Sequence, residues 1–138
     1  MPMTARLGQP PFAVAALVAA IAAVPAGAAA ADWAAAKQVT VVTTDYRFQP
    51  KHLKLRAGSA YRLRLENRGK EMHEFNAAAL FAAAEIGNPE ALNADRTEIQ
   101  VHPGEAKELL FVPQAAGKYR LICPDHDWTG MVGDITVR

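Results

Sequence analysis

The sequence predicts an all-β chain: a sandwich of seven to eight short strands with one short helical insertion around residues 77–94. Three observations carry that expectation. Apolar and polar residues alternate with period two through most of the chain beyond residue 38, as half-buried strands require. Turns bearing Gly or Pro interrupt the alternation at short intervals, the habit of a sandwich rather than of a parallel sheet. The stretch that departs from period two is Ala-rich and spaces Leu80, Phe81, Ala84 and Ile86 as a helix does.

In order, Gln38 to Thr43 is dominated by β-branched residues, and His52-Leu53-Lys54-Leu55-Arg56 alternates until the turn at Ala57-Gly58-Ser59. Tyr61, Leu63 and Leu65 share one face of the next strand, with Arg62, Arg64 and Glu66 on the other. Asn67-Arg68-Gly69-Lys70 is a strong turn signal that closes it. Asn76 is the expected N-cap of the helical insertion and Gly87-Asn88-Pro89 its expected stop. Thr97 to Val101 is a strand ended by Pro103-Gly104; Lys107 to Val112, Gly117 to Ile122 and Met131 to Val137 complete the set.

Residues 1–31 differ from the rest. Arg6 is their only charge, and Phe12 to Val24 is an apolar run followed by Pro25 and an Ala-rich stretch. A basic start, a short apolar stretch and an Ala-x-Ala site describe a cleavable secretory signal peptide of the general (Sec) type, with cleavage expected after Ala31 or Ala28. The apolar run falls short of the ~20 residues that span a bilayer, so no stable membrane span is expected once the signal is cut. That leaves residues 32–138 as one domain, exported and, for a bacterium, periplasmic.

Without Arg6 the charges of the domain balance, but they are segregated. Positions 47–70 are basic, carrying Arg47, Lys51, Lys54, Arg56, Arg62, Arg64, Arg68 and Lys70 against Glu66, and positions 71–108 are mainly acidic. Export and the scarcity of interleaved aromatics argue against nucleic-acid binding. The lone cysteine, Cys123, cannot close an internal disulfide, and metal ligation would protect its thiol in an oxidising compartment.

The segment Cys123-Pro-Asp-His126-Asp-Trp-Thr-Gly-Met131 places a thiolate, an imidazole and a thioether within one loop. Thiolate and thioether are soft donors; with a second imidazole from Met72-His73-Glu74-Phe75 they make a blue-copper donor set, His73, Cys123 and His126 with a weak axial Met131. Pro124 stops the strand that delivers Cys123, and Gly130 permits the turn that returns Met131. Met72 is the alternative sulfur donor. Three other readings share these residues: a zinc site, which seldom uses a thioether; a cysteine nucleophile with a histidine base, which leaves Met131 unexplained; and a buried cysteine with incidental neighbours.

Cys-x2-His-x4-Met followed by Val-Gly-x-Ile-x-Val resembles the C-terminal signature of the cupredoxins, the plastocyanin and azurin family. Met72-His73-Glu74-Phe75 is similar to that family's first-histidine segment, and Gly117 to Cys123 to its cysteine-bearing strand. The resemblance covers most of residues 38–138. It implies a Greek-key β-sandwich that binds one copper ion, cycling Cu(I)/Cu(II), through His73, Cys123, His126 and Met131. It implies an electron carrier rather than an enzyme, with His126 as the solvent-facing ligand.

Two departures stand out. Glu74 occupies the position where the family often has an Asn that ties the ligand loops together, so that tie is expected to be altered. Asp125 and Asp127 flank His126, with Glu71 and Glu74 beside His73, where plastocyanin and azurin present an apolar surface. An acidic mouth suits a cation: a basic redox partner such as a c-type cytochrome, or Fe²⁺ near Asp125, Asp127 and Glu74. The pattern also resembles cupredoxin components of bacterial ferrous-iron uptake systems, which implies an iron permease or membrane oxidoreductase as partner and a part in Fe²⁺ oxidation. A copper carrier is the remaining alternative. Trp128 is expected to pack over the ligand loop, Trp33 to lie in a loose segment, and His52 and His102 to be ordinary surface histidines.

Overall fold

A computed structural model describes residues 29–138, which form two five-stranded sheets whose inner faces share one buried core. The strands are β1 (Lys37–Thr44), β2 (Arg47–Gln49), β3 (His52–Leu55), β4 (Tyr61–Asn67), β5 (His73–Asn76), β6 (Ala84–Ile86), β7 (Glu98–Val101), β8 (Ala106–Pro113), β9 (Gly117–Ile122) and β10 (Val132–Val137), with a single α-helix, α1 (Ala78–Ala82). One sheet runs β2-β1-β4-β8-β6 and the other β3-β10-β9-β5-β7. β1 lies parallel to β4 and β3 parallel to β10, while the remaining pairs are antiparallel.

The alternation read from sequence is observed most clearly in β3 and β4. In β4, Tyr61, Leu63, Leu65 and Asn67 are buried, and the residues between them are half-buried. Leu65 and Leu109 are wholly buried, each worth about 1.5–3 kcal/mol relative to exposure. Arg62 and Arg64 stay on the outer face and pair with Glu108 and Glu66. These are half-buried pairs at the protein surface, worth ~0–1 kcal/mol each. The basic run of positions 47–70 is thus divided between outward strand faces (Arg47, Lys54, Arg62, Arg64) and the connecting turns.

Ten strands stand where seven to eight were expected. β2 and β6 hold three residues each, too few for a period to declare itself, and β5 buries His73, Glu74 and Phe75 in succession, so it shows no alternation. The helical insertion is shorter than its sequence span. α1 buries Leu80 and Phe81, but β6 then pairs with β8, so Ile86 belongs to a strand. Asn76 does not cap the helix: it lies in β5, and its amide donates to the Glu98 carboxylate on β7 at 3.0 Å. Ala77 takes the cap position without a side-chain bond. Asn88 holds the backbone of β8 at both Leu110 N (2.6 Å) and Glu108 O (2.9 Å).

Trp33 is not loose. It opens a 3-10 turn, Trp33–Ala35, capped by the Asp32 carboxylate, and its half-buried ring lies so close to Gly87 that a Cβ there would stand 2.9 Å from it. The expected signal segment, residues 1–31, lies almost wholly outside the described residues. Among those described, no helix is long and apolar enough to cross a membrane.

Candidate metal centre

Three neighbouring strands of one sheet, β10, β9 and β5, end at the same edge of the sandwich and carry two sulfur side chains and one histidine there. Cys123 directly follows β9, and its backbone N–H donates to Met131 O at 3.1 Å, which places Met131 beside it at the foot of β10. His73 is the first residue of β5, on the other side of β9. The loop between Cys123 and Met131 closes on itself: His126 N donates to Cys123 O (2.9 Å), and Thr129 and Met131 both donate backbone N–H to His126 O (3.0 and 3.3 Å). A 3-10 turn, Asp127–Thr129, ends at Gly130, whose φ of 92° lies in the left-handed region that a glycine adopts freely.

This backbone brings one ligand atom each of His73, Cys123 and His126 within 4.8 Å of one another. His73, Cys123 and Met131 are wholly buried, and the His126 side chain is 12% exposed. Met72 is only half-buried. The two imidazole rings stand 5.0 Å apart. His126 Nδ1 lies 3.4 Å from Cys123 Sγ. His73 Nδ1 is buried with no hydrogen-bond partner, which among the described residues marks it out from the other buried side-chain nitrogen and oxygen atoms. A buried polar atom left unpaired costs about 1–3 kcal/mol and calls for an explanation. A lone pair reserved for a metal ion explains it, because neutral imidazole nitrogen, thiolate and thioether together suit copper.

The surroundings of Cys123 set its acidity. Burial, with the Glu74 carboxylate adding to it, pushes the thiol up to about 11 in the metal-free protein. Such a thiol is protonated at neutral pH; a coordinated metal ion would reverse this by displacing the proton outright. Two groups of Glu74 reach the sulfur. Its backbone N–H approaches Sγ at 3.5 Å, and its carboxylate Oε2 lies 3.7 Å from Sγ as acceptor of the thiol hydrogen.

Glu74 corrects the expectation placed on it. It is buried rather than at an acidic mouth, and the same Oε2 accepts the backbone N–H of Asp125 at 3.2 Å. The tie between ligand loops is therefore present, made by a carboxylate from the strand of His73 to the loop of His126. Burial raises the pKa of Glu74, the Asp125 N–H offsets part of that, and the charges of Asp125 and Glu98 add to it. Asp125 and Asp127 remain on the outer side of the loop, exposed and half-buried respectively. Trp128 does not pack over the centre: it is 81% exposed, tethered through Nε1 to Asp125 O at 3.0 Å.

Glu71 occupies the place foreseen for Glu74. Its carboxylate meets His126 Nε2 at 2.8 Å and accepts from Tyr46 Oη at 3.2 Å, and the Tyr46 ring lies 5.2 Å from the His126 ring. The outward edge of His126 is therefore engaged. Asp45 stands likewise behind His73, with Oδ1 at 3.4 Å from Nε2. The Lys70 backbone N–H, donated to Asp45 at 2.8 Å, is the main cause that holds this carboxyl below its ordinary range. Asp45 and Tyr46 had no signal in the sequence, lying far upstream of every motif. Asn67 was visible only as a turn residue; it is buried and fastens the loop of Glu71 by donating to Glu71 O (2.7 Å) and Val101 O (2.9 Å). His52 and His102 lie outside the centre, His52 paired with Asp134 on the surface.

Comparison with known proteins agrees with this arrangement. The Cupredoxin-like domain family matches residues 13–137. The copper-resistant cuproprotein CopI of Rubrivivax gelatinosus is 33% identical over 112 residues, covering 75% of this chain and 68% of that protein. The protein of the same name from Pseudomonas aeruginosa is 26% identical over 140 residues, covering 75% of this chain and 77% of its own length. Among solved structures, auracyanin B aligns with a TM-score of 0.57 at 26% identity, covering 75% of this chain and 89% of that one. Reduced auracyanin from Roseiflexus castenholzii aligns equally well, TM-score 0.57, over 75% of this chain and 98% of its own; at 21% identity it speaks for the fold alone.

Proposed function

The chain belongs to the cupredoxin-like family, and from that premise we propose that it is an exported type 1 copper protein that carries single electrons. The observation that carries this reading is the buried convergence of His73, Cys123 and His126, with His73 Nδ1 left free of any partner. His73 Nδ1, His126 Nδ1 and Cys123 Sγ would hold one copper ion, with the Met131 thioether as a further, weaker donor. When bound, copper supplies a one-electron Cu(II)/Cu(I) couple, which the protein tunes through its ligands and their surroundings.

The chain's own residues do the rest. The strand ends of β5, β9 and β10 and the hydrogen-bonded loop fix the donors before any metal arrives, so little rearrangement accompanies a change of charge. Burial excludes water from the sulfur. The Glu74 backbone N–H is placed to stabilise the thiolate, and the Glu74 carboxylate keeps the two ligand segments in register. His126, the least buried of the donors, gives the shortest route to a partner protein, which in the periplasm would be a cytochrome or a membrane oxidoreductase.

The biological setting proposed is copper handling, since relatives over most of the chain carry the name copper-resistant cuproprotein. A closed, buried donor set favours a resident ion over an exchangeable cargo. The test is addition of Cu(II) to the purified metal-free protein. One equivalent is expected to produce an intense visible thiolate-to-copper band, absent from Cys123→Ser. A colourless complex, or more than one tightly held copper per chain, would sink the reading.

A further inference from the structure

Both candidate ligand imidazoles are backed by a carboxylate at Nε2. Behind His73 stands Asp45 of the β1–β2 turn (Nε2 to Oδ1, 3.4 Å), and behind His126 stands Glu71 of the β4–β5 loop (Nε2 to Oε2, 2.8 Å). Neither acid is a random surface charge. Asp45 is held by the backbone N–H of Lys70, and Glu71 by Tyr46 Oη, the residue next to Asp45. The two loops therefore hold each other's acids, and each acid holds one histidine.

Gly69 shows that the space is built for this contact. A Cβ at Gly69 would collide with Asp45 Oδ1 and stand 3.0 Å from His73 Nε2. A side chain there would drive the carboxylate off the ring. Gly69 is itself fastened, its N–H donating to Asn67 Oδ1 at 2.8 Å.

We propose that Asp45 and Glu71 are paired positioning residues: they hold His73 and His126 as Nε2–H tautomers with both Nδ1 lone pairs turned toward Cys123, and they bias the centre toward Cu(II). The physical reason is direct. A carboxylate that accepts Nε2–H fixes which ring nitrogen carries the proton and makes the other a stronger donor. Two negative charges behind the ligands stabilise the more highly charged ion more than the less charged one. The inference rests on the copper reading above for its second half only; the tautomers belong to the metal-free protein.

The experiment separates the two halves. In metal-free protein, nitrogen-15 NMR of the imidazoles is expected to show Nε2–H for both histidines, to lose it at His73 in Asp45→Ala and Gly69→Ala and at His126 in Glu71→Ala, and to keep it in Asp45→Asn and Glu71→Gln, which retain an acceptor. In copper-loaded protein, potentiometric titration is expected to give higher reduction potentials for Asp45→Asn and Glu71→Gln than for wild type, and a further rise in the double variant. The shift for each is expected to reach about tenfold in the Cu(II)/Cu(I) ratio, about 59 mV for a one-electron couple. Tautomers unchanged in the alanine variants, or potentials unchanged in the charge-neutral ones, overturn the proposal. A wild-type protein that shows the tautomers but forms no coloured copper complex overturns the copper reading and leaves the tautomer assignment standing. Both acids are partly exposed, so the variants are expected to fold.

Discussion

The backbone N–H of Asp125 points at the buried carboxylate of Glu74, 3.2 Å away, and the same carboxylate oxygen lies 3.7 Å from Cys123 Sγ. One side chain thus touches the thiol and the loop that bears His126, while its own backbone belongs to the strand of His73. A neutral amide could make the loop contact; a carboxylate makes it and also sets a charge beside the sulfur.

Substitution of Glu74 is therefore expected to separate these two roles. Glu74→Gln keeps an acceptor for Asp125 N and should leave thermal stability nearly unchanged, while shifting the visible band of the copper complex. Glu74→Leu removes the acceptor and is expected to cost about 1 kcal/mol as well as broadening the spectrum. Denaturation midpoints and absorption spectra of the two variants check this.

His73 carries a buried nitrogen whose lack of a partner costs stability that a metal ion would restore. Its Nδ1 is buried and unpaired in the metal-free chain. His73→Leu is expected to abolish coloured copper binding while leaving the metal-free protein as stable as wild type or up to about 1–3 kcal/mol more stable. Urea unfolding in the presence of a chelator measures the second effect; a large loss of stability would contradict it.

Met131 is wholly buried at the foot of β10. Met131→Leu conserves volume and is expected to cost less than about 1.5 kcal/mol. It should preserve the strong visible band, because the thiolate and imidazoles remain, and raise the reduction potential by removing the axial donor. If Met72 were the axial donor, Met72→Leu would give that shift and Met131→Leu would not.

The thiol of Cys123 also predicts a pH dependence. Its pKa is raised in the folded chain, from an ordinary 9.0 to about 11, by burial first. The unfolded chain therefore loses its thiol proton at lower pH than the folded one. The resulting contribution to stability is complete below about pH 9 and is lost as pH rises through about 11, with a slope of at most about 1.4 kcal/mol per pH unit. Metal-free Cys123→Ala should lose less stability than wild type across that window. Copper binding should release the thiol proton, giving tighter apparent binding as pH rises toward neutrality.

Period-two alternation made the sandwich legible, since burial of one strand face is a local property: Leu63 and Leu65 could be assigned from their neighbours alone. The Cys123–Met131 loop was legible for the same reason, because its donors lie close in sequence and their spacing is what a closing loop requires. His73 was found through chemistry, as the second imidazole such a donor set needs. β2 and β6 were hidden because three residues hold too little pattern, and β5 because three successive residues are buried and nothing alternates. Asn76, which reads as a cap, serves a cross-strand bond to Glu98, and Trp128, which reads as a packing residue, is the most exposed large apolar side chain among those described.

Which side chains are candidate donors, and their order, is written in the chain, because the softness of sulfur and imidazole does not depend on folding. Which charges stand behind those donors is not. Asp45 approaches His73 across 28 positions and Glu71 approaches His126 across 55, each through a separate loop. Glu74 and Glu71 are three residues apart with the same side chain, yet one is buried against the sulfur and the other half-exposed against the outer edge of a ring. Strand direction and loop closure make that difference, and they act through space rather than along the chain.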